Sequence, residues 1–337
     1  MPRLKYFLLI ALMFIVTGCQ SGNPDKPVQG PALNPPAPVS PAPTLPAPPP
    51  KLNPVTGLVS KADKSAVVAV MVENTPEARP QSGLDKAEVV YEMYAEGGIT
   101  RFMALYHEND ATVVGPVRSA RTYFVTMVRQ WNAGYAHAGG NQDALDLLRK
   151  WGIQDLDEIY RLPEPYWRDS SRRAPHNLYT NTQRLRRFIK QPGRLPTWPF
   201  EEISASGGPA QSVTIPFNSF TKTTYRYDPA SGIYLRFIGD RPHADKVTGA
   251  QLEAANVIIQ YAVHRPGGDE PGAVDITLSG KGRAEYLREG KKYSGYWQKP
   301  GLDQETEFFL EDGTRFKLRP GNTWIEVVPT TMKPIYQ

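Results

Sequence analysis

Apolar residues recur along this chain with two spacings, and the changes between them lay out the elements. Ala66 to Val72 reads AVVAVMV, a continuous apolar run closed by Glu73-Asn74-Thr75-Pro76, and predicts a buried strand. Val89 to Ala95 and Ile99 to Tyr106 predict two more strands, joined at Gly97-Gly98. Val117, Ala120, Phe124, Val128 and Trp131 recur at helical intervals, so a helix is expected over 117–131 with Pro116 at its first position. Gly134 to Ala138 predicts a short strand. Asp143 to Lys150 predicts a helix stopped by Gly152, and Thr182 to Lys190 a short basic helix.

From Pro192 to Pro209 prolines and Gly207-Gly208 mark a connection. Beyond it the pattern is mostly that of strands. Tyr225–Tyr227 and Tyr234–Ile238 flank the turn-rich Asp228-Pro229-Ala230-Ser231-Gly232. Further strands are expected over 257–263, 274–278, 286–287, 293–297, 307–310, 315–318 and 324–328, with one helix at 249–255. The expected class is α+β: a mixed α/β domain over 55–208 and a smaller, mostly β domain over 209–337, resembling a barrel or sandwich.

The amino terminus carries an address. Arg3 and Lys5 precede an apolar run from Tyr6 to Val16, too short to span a bilayer comfortably. Val16-Thr17-Gly18-Cys19 follows, the lipobox order of bacterial lipoproteins, and Cys19 is the single cysteine of the chain. Residues 1–19 are therefore read as a lipoprotein signal peptide, the alternative being an ordinary cleaved signal. Cys19 becomes the lipidated (diacylglyceryl and palmitate-type) first residue, which tethers the protein to the extracytoplasmic face of the cell membrane. Two or more acyl chains anchor firmly where one does not. Thirteen of the residues 20–54 are proline, which predicts a stiff spacer with a reach on the order of 100 Å.

The formal charge of +5 falls slightly when Arg3 and Lys5 leave with the signal. That mild excess suits anionic surfaces or polymers and gives no indication of nucleic-acid binding.

Candidate chemistry concentrates between Tyr91 and Arg121. A two-residue loop at Gly97-Gly98 would set Glu96 opposite Ile99 and Tyr94 opposite Arg101. Glu92, Glu96 and Arg101 would then share one polar face, as a cleft carboxylate beside a guanidinium or as a plain cross-strand salt bridge. Gly115-Pro116-Val117-Arg118-Ser119-Ala120-Arg121 would start a helix with Arg118 and Arg121 in its first turn, where the helix dipole disfavours cations. An anion is called for there, either a ligand or an acid of this chain. His137, in Ala136-His137-Ala138-Gly139-Gly140, and His176 with Asn177, in Arg172-Arg173-Ala174-Pro175-His176-Asn177, are candidates for a proton-transfer or ligand-binding role, against a structural one. The histidines lack metal spacing and no Gly-x-Ser-x-Gly occurs, so neither a metal nor a cofactor is expected. Tyr293, Tyr296, Trp297 and Trp324 offer sugar stacking or core packing.

VMVENTPEARPQSGLDKAEVVYE (70–92), AEGGITRF (95–102), GPVRSAR (115–121), HAGG (137–140), RAPHNLYT (173–180), REGKKYSGYWQK (288–299) and PGNTWIEVVP (320–329) resemble the YerB-like lipoproteins of Gram-positive bacteria. The resemblance implies a two-domain envelope lipoprotein in a family of unknown function, with no catalytic residues to carry over.

Three functions are open on this reading. One is a non-catalytic envelope module binding a cell-wall glycan or anionic polymer through Arg101, Arg118, Ser119, Arg121, His176 and Asn177. The second is a glycan-cleaving enzyme with Glu96 as general acid and Glu92 or His137 as second group. The third is a scaffold binding another envelope protein.

Overall fold

The apolar run after Ser65 becomes β1 (Val68–Glu73), with all six residues buried. The structure, a computed structural model, describes Gly30, residues 49–268 and residues 272–337. The signal segment, Cys19 and most of the proline-rich tether lie outside the described residues.

Around β1 the chain lays β2 (Val89–Tyr94), β3 (Thr100–Tyr106), β4 (Gly134–His137) and β5 (Gln154–Asp157). The helices are α1 (Thr122–Trp131), α2 (Gln142–Lys150) and α3 (Thr182–Arg186). The remaining long strands are β6 (Ser212–Pro216), β7 (Lys222–Asp228), β8 (Ile233–Ile238), β9 (Asn256–Pro266), β10 (Gly280–Arg288), β11 (Lys291–Lys299), β12 (Glu307–Leu310) and β13 (Thr323–Pro329).

Ten of these build one sheet in the order β12-β11-β10-β9-β13-β2-β3-β1-β4-β5. The sheet runs straight through the expected boundary at 208/209, because β13 pairs in parallel with both β9 and β2. A second sheet of β6, β7 and β8 covers one face, where Val213, Ile215, Tyr225 and Tyr234 meet Val70, Val90 and Phe102. Helices α1 and α2 cover the other face, where Phe124, Val128 and Leu148 meet Met71, Tyr91 and Met103. Among the described residues 40% is strand and 11% helix, so the protein is more strongly β than the expected α+β class, with α1, α2 and α3 all lying in the first half. Among the described residues no helix is long and apolar enough to cross a membrane.

Three further expectations are corrected. The helix begins at Thr122, five residues later than its apolar spacing suggests. Before it, the backbone N–H groups of Val117, Arg118 and Ala120 donate to Leu178, Met71 and Gly139, so the segment is held extended between neighbouring strands. The expected helix at 249–255 is a turn and a short strand. Leu252 N–H donates to His243, Gly249 has φ +69°, and Glu253–Ala254 pairs with β8. Residues 315–318 make only isolated bridges, from Arg315 to Phe309 and from Leu318 to Phe200. The proline-marked connection is also no loose linker: Trp198 is buried edge-on against Trp131, with ring centroids 5.8 Å apart.

Candidate functional site

Strands β1, β2, β4, β5, β9 and β13 all run the same way. Their carboxyl ends therefore share one rim, the place where open sheets present loops to ligands. Glu73 ends β1, Glu96 follows β2, His137 ends β4 and Asp157 ends β5. Helices α1 and α2 both start at that rim, since each runs back antiparallel to β4.

The hairpin at the rim differs from the expected one. Residues 95–99 form the connection, Glu96–Gly98 being a short 3-10 turn with Gly97 and Gly98 at positive φ. Tyr94 now pairs with Thr100, Met93 with Arg101 and Glu92 with Phe102. A shift of one residue turns every side chain to the other face, so Glu92 and Arg101 point to opposite sides. Glu92 is wholly buried against the second sheet. It is bonded by Arg236 Nη2, by Asn74 Nδ2 at 3.0 Å and by Thr100 Oγ1 at 2.6 Å. Arg236 is itself enclosed by Trp324, Phe102 and Tyr225, with its guanidinium 4.5 Å from the Trp324 ring centroid. Glu326 lies beside this pair; burial, then the Glu92 charge, pushes its carboxyl well above the usual range. Glu92 thus belongs to the core and not to the rim.

Glu96 stays at the rim between two cations. Arg101 Nη2 lies 2.9 Å from its Oε1, and Arg121 Nε lies 3.0 Å from its Oε2. Arg101 also donates to the Ser119 carbonyl at 2.8 Å, and Arg121 to Ser119 Oγ at 3.0 Å. Partial burial opposes the ionised form of Glu96, but Arg101 and Arg121 together hold its carboxyl below the usual value. A general acid needs the opposite shift. Arg121 is the residue preceding α1 and Arg118 lies in extended chain, so the two do not share a helical face.

Arg118 meets a residue that sequence reasoning left in a turn. Glu73, 2% exposed, approaches Arg118 Nε at 3.1 Å with Oε1 and His176 Nδ1 at 2.8 Å with Oε2. The available signal was its position: an acid ending a fully apolar strand must find a cation. Among the described residues neither terminal nitrogen of Arg118 donates to a protein group, and Nε makes no well-aligned hydrogen bond. Burial, and then Arg101 and Arg121, depress the Arg118 pKa against the pull of Glu73 and Glu96. His176 Nε2 is likewise without a protein partner among the described residues. The structure thus brings together Glu96, Arg101, Ser119 and Arg121 in one cluster, and Arg118 and His176 beside it on Glu73.

Other candidates fall elsewhere. His137 is fully buried, with Nδ1 2.8 Å from the Gly139 carbonyl and Nε2 2.9 Å from Asp155 Oδ1. Both ring nitrogens are engaged, and the ring holds a loop in place. Asn177 is 9% exposed and accepts from Arg168, away from the cluster. Tyr293, Trp297 and Trp324 are core residues. A cavity of about 230 Å³ opens beside Glu96, Arg121 and Asn141. Among the described residues no group of three or more potential metal ligands converges.

A family model described as the N-terminal domain of a protein of unknown function, DUF3048, matches residues 55–194, and its C-terminal counterpart matches 213–325. The chain belongs to the DUF3048 family. In Bacillus subtilis (strain 168) the protein called "Putative lipoprotein YerB" is 31% identical over 287 residues, covering 82% of this chain and 86% of its own. The crystal structure of the B. subtilis YerB protein is similar with a TM-score of 0.75 at 28% identity, covering 85% of this chain and 99% of that one. In DUF3048 terms the rim cluster lies in the N-terminal segment, and Glu92–Arg236 joins the two segments.

Proposed function

We propose that this DUF3048 protein is an envelope lipoprotein, held at the extracytoplasmic face of the cell membrane by lipid on Cys19, and that it binds an anionic group at the rim. The observation that carries the reading is Arg118. Its guanidinium is fixed from behind by buried Glu73, its two terminal nitrogens are without a protein partner among the described residues, and Arg101 and Arg121 stand near it. An arginine stays charged under these conditions, and an incoming carboxylate or phosphate relieves both its like-charge neighbours and its unmet donors. His176 Nε2 and Ser119 Oγ supply further polar contacts.

The reading favours a binding module over a glycan-cleaving enzyme. Glu96 is held ionised, Glu92 faces the other side of the sheet, and His137 is enclosed, so the expected general acid and its expected second groups do not converge on an open site as glycoside hydrolysis requires. The test is to incubate the soluble body, residues 49–337, with purified peptidoglycan and anionic wall polymers. Retention on the polymer, lost in Arg118→Gln, with no fragments released, is expected. Fragments released by the parent protein and not by Glu96→Gln would replace this reading with the enzymatic one. Absence of retention on every polymer would remove the anion site.

A further inference from the structure

The loop after β5 places two large apolar side chains in water beside the cationic segment. Ile159 is 54% and Tyr160 70% exposed. They are not a loose tip. Asp157 Oδ1 accepts from Gly139 N–H at 2.7 Å and from Ile159 N–H at 3.1 Å, so one buried carboxylate oxygen staples the loops after β4 and β5 together. Glu158 N–H donates to the His137 carbonyl at 3.0 Å. The same β4 loop is bonded to the arginine segment, through Ala120 N–H to Gly139 at 2.8 Å and Ala138 N–H to Arg118 at 3.1 Å. Gly139 has φ +60°, and a Cβ there would come within 3.1 Å of Ile159 Cδ1 and 3.8 Å of the Tyr160 ring. The two exposed side chains therefore lie against Gly139, with one run of backbone hydrogen bonds joining their loop to Arg118.

An aromatic side chain standing in water on a loop that is bonded through Gly139 to the backbone of the arginine segment has the make-up of one half of a sugar-acid subsite. The cation takes the charge, the aromatic face takes the apolar face of a pyranose, and tying down the loop that carries the ring reduces the ordering cost of binding. We propose that Tyr160, backed by Ile159, is a specificity-determining residue that makes the rim select an anion carried on a sugar ring over the bare anion. This rests on the anion site proposed above and names its ligand class. Charge complementarity with Arg118 favours an acidic sugar over a neutral one as the occupant.

The test uses the full chain in detergent solution and two matched pairs of probes, acetate with D-glucuronate and inorganic phosphate with glucose 6-phosphate, titrated by calorimetry. The sugar-borne member of one pair should bind about three- to tenfold tighter than its bare partner, and the pair showing the margin identifies carboxylate or phosphate. Tyr160→Ala should erase the margin while leaving the bare anion's affinity unchanged, Tyr160→Phe should keep it, and Arg118→Gln should weaken both members. Equal affinities within both pairs, or a Tyr160→Ala effect on both members or on neither, would overturn the subsite while leaving the anion site standing. Binding of none of the four probes would remove the anion site and the subsite with it.

Discussion

Glu73 Oε1 and Arg118 Nε lie 3.1 Å apart, with the carboxylate buried and the far end of the guanidinium open. That asymmetry makes the two residues do different work. Replacing Arg118 by Gln should cost at least about tenfold in affinity for the anion that binds, as expected for a lost charged hydrogen bond. It should lower the melting temperature by only a few degrees, because His176 still reaches Glu73. Replacing Glu73 by Ala should lower both affinity and melting temperature. Calorimetric titration and thermal unfolding of the two variants check this; a binding loss confined to Glu73→Ala would show that Arg118 is a structural cation.

The Glu92–Arg236 pair should behave as a buried ion pair with one removable half. Arg236→Met leaves the Glu92 carboxylate in the core, and unfolding in urea should report a loss of about 3–5 kcal/mol. The double variant Glu92→Leu/Arg236→Met should recover much of it. A single-variant loss below about 1 kcal/mol would mean that water reaches Glu92 readily.

Lys299 provides a pH signature. Its amine is fully buried with Gln130 Oε1 at 2.9 Å, and burial brings its pKa down to about 7. In the unfolded chain the value is about 10.4. Between those limits the unfolded state holds the extra proton, so stability should rise with pH from about 7 to about 10, with a contribution approaching 1.4 kcal/mol per pH unit, and stay flat in this respect below 7. Lys299→Met should remove that slope. Chemical denaturation across the range measures it, and an unchanged slope would mean that Lys299 is charged in the folded protein.

Glu96 gives a slope of the same sign in an acid window. Its folded pKa is depressed despite burial, chiefly by Arg101 and then Arg121. The stabilisation is therefore present above the unfolded value of about 4.3 and lost as pH falls through the lower folded value. Glu96→Gln should unfold at nearly the same acid midpoint as a parent protein already stripped of this contact, and should be less stable than the parent at neutral pH. Equal stability at pH 7 would make the Arg101–Glu96–Arg121 cluster energetically idle.

Much of the strand layout was legible because apolar runs such as 68–73 and 89–94 admit few other readings. Register was not. A single residue in the Glu96–Gly98 turn exchanges the faces of Glu92 and Arg101, and no local pattern distinguishes a two-residue loop from the observed connection. The helix over 117–131 was half legible: its apolar spacing holds from Thr122 onward, but Val117 and Ala120 are buried by pairing with Leu178 and Gly139, contacts that sequence spacing cannot display. The arginines of the site were visible as a cluster. Their true anchor, Glu73, was not, since its partners His176 and Arg118 are distant in the chain and meet only once the rim is assembled. The small neighbours of His137 suggest an accessible ring, yet β5 closes against it with two carboxylates, those of Asp155 and Asp157.

The position of β13 has a consequence in time. Val89 in β2 finds its parallel neighbour only at Thr323. A ribosome or export channel releases the chain from the amino end, so β2 waits with one edge bare until almost the last residues emerge. The rim can be built early, from residues within 68–180, but the sheet beneath it is sealed by the final strand. A chain cut short before that strand would carry an assembled arginine cluster on a sheet with an open, adhesive edge.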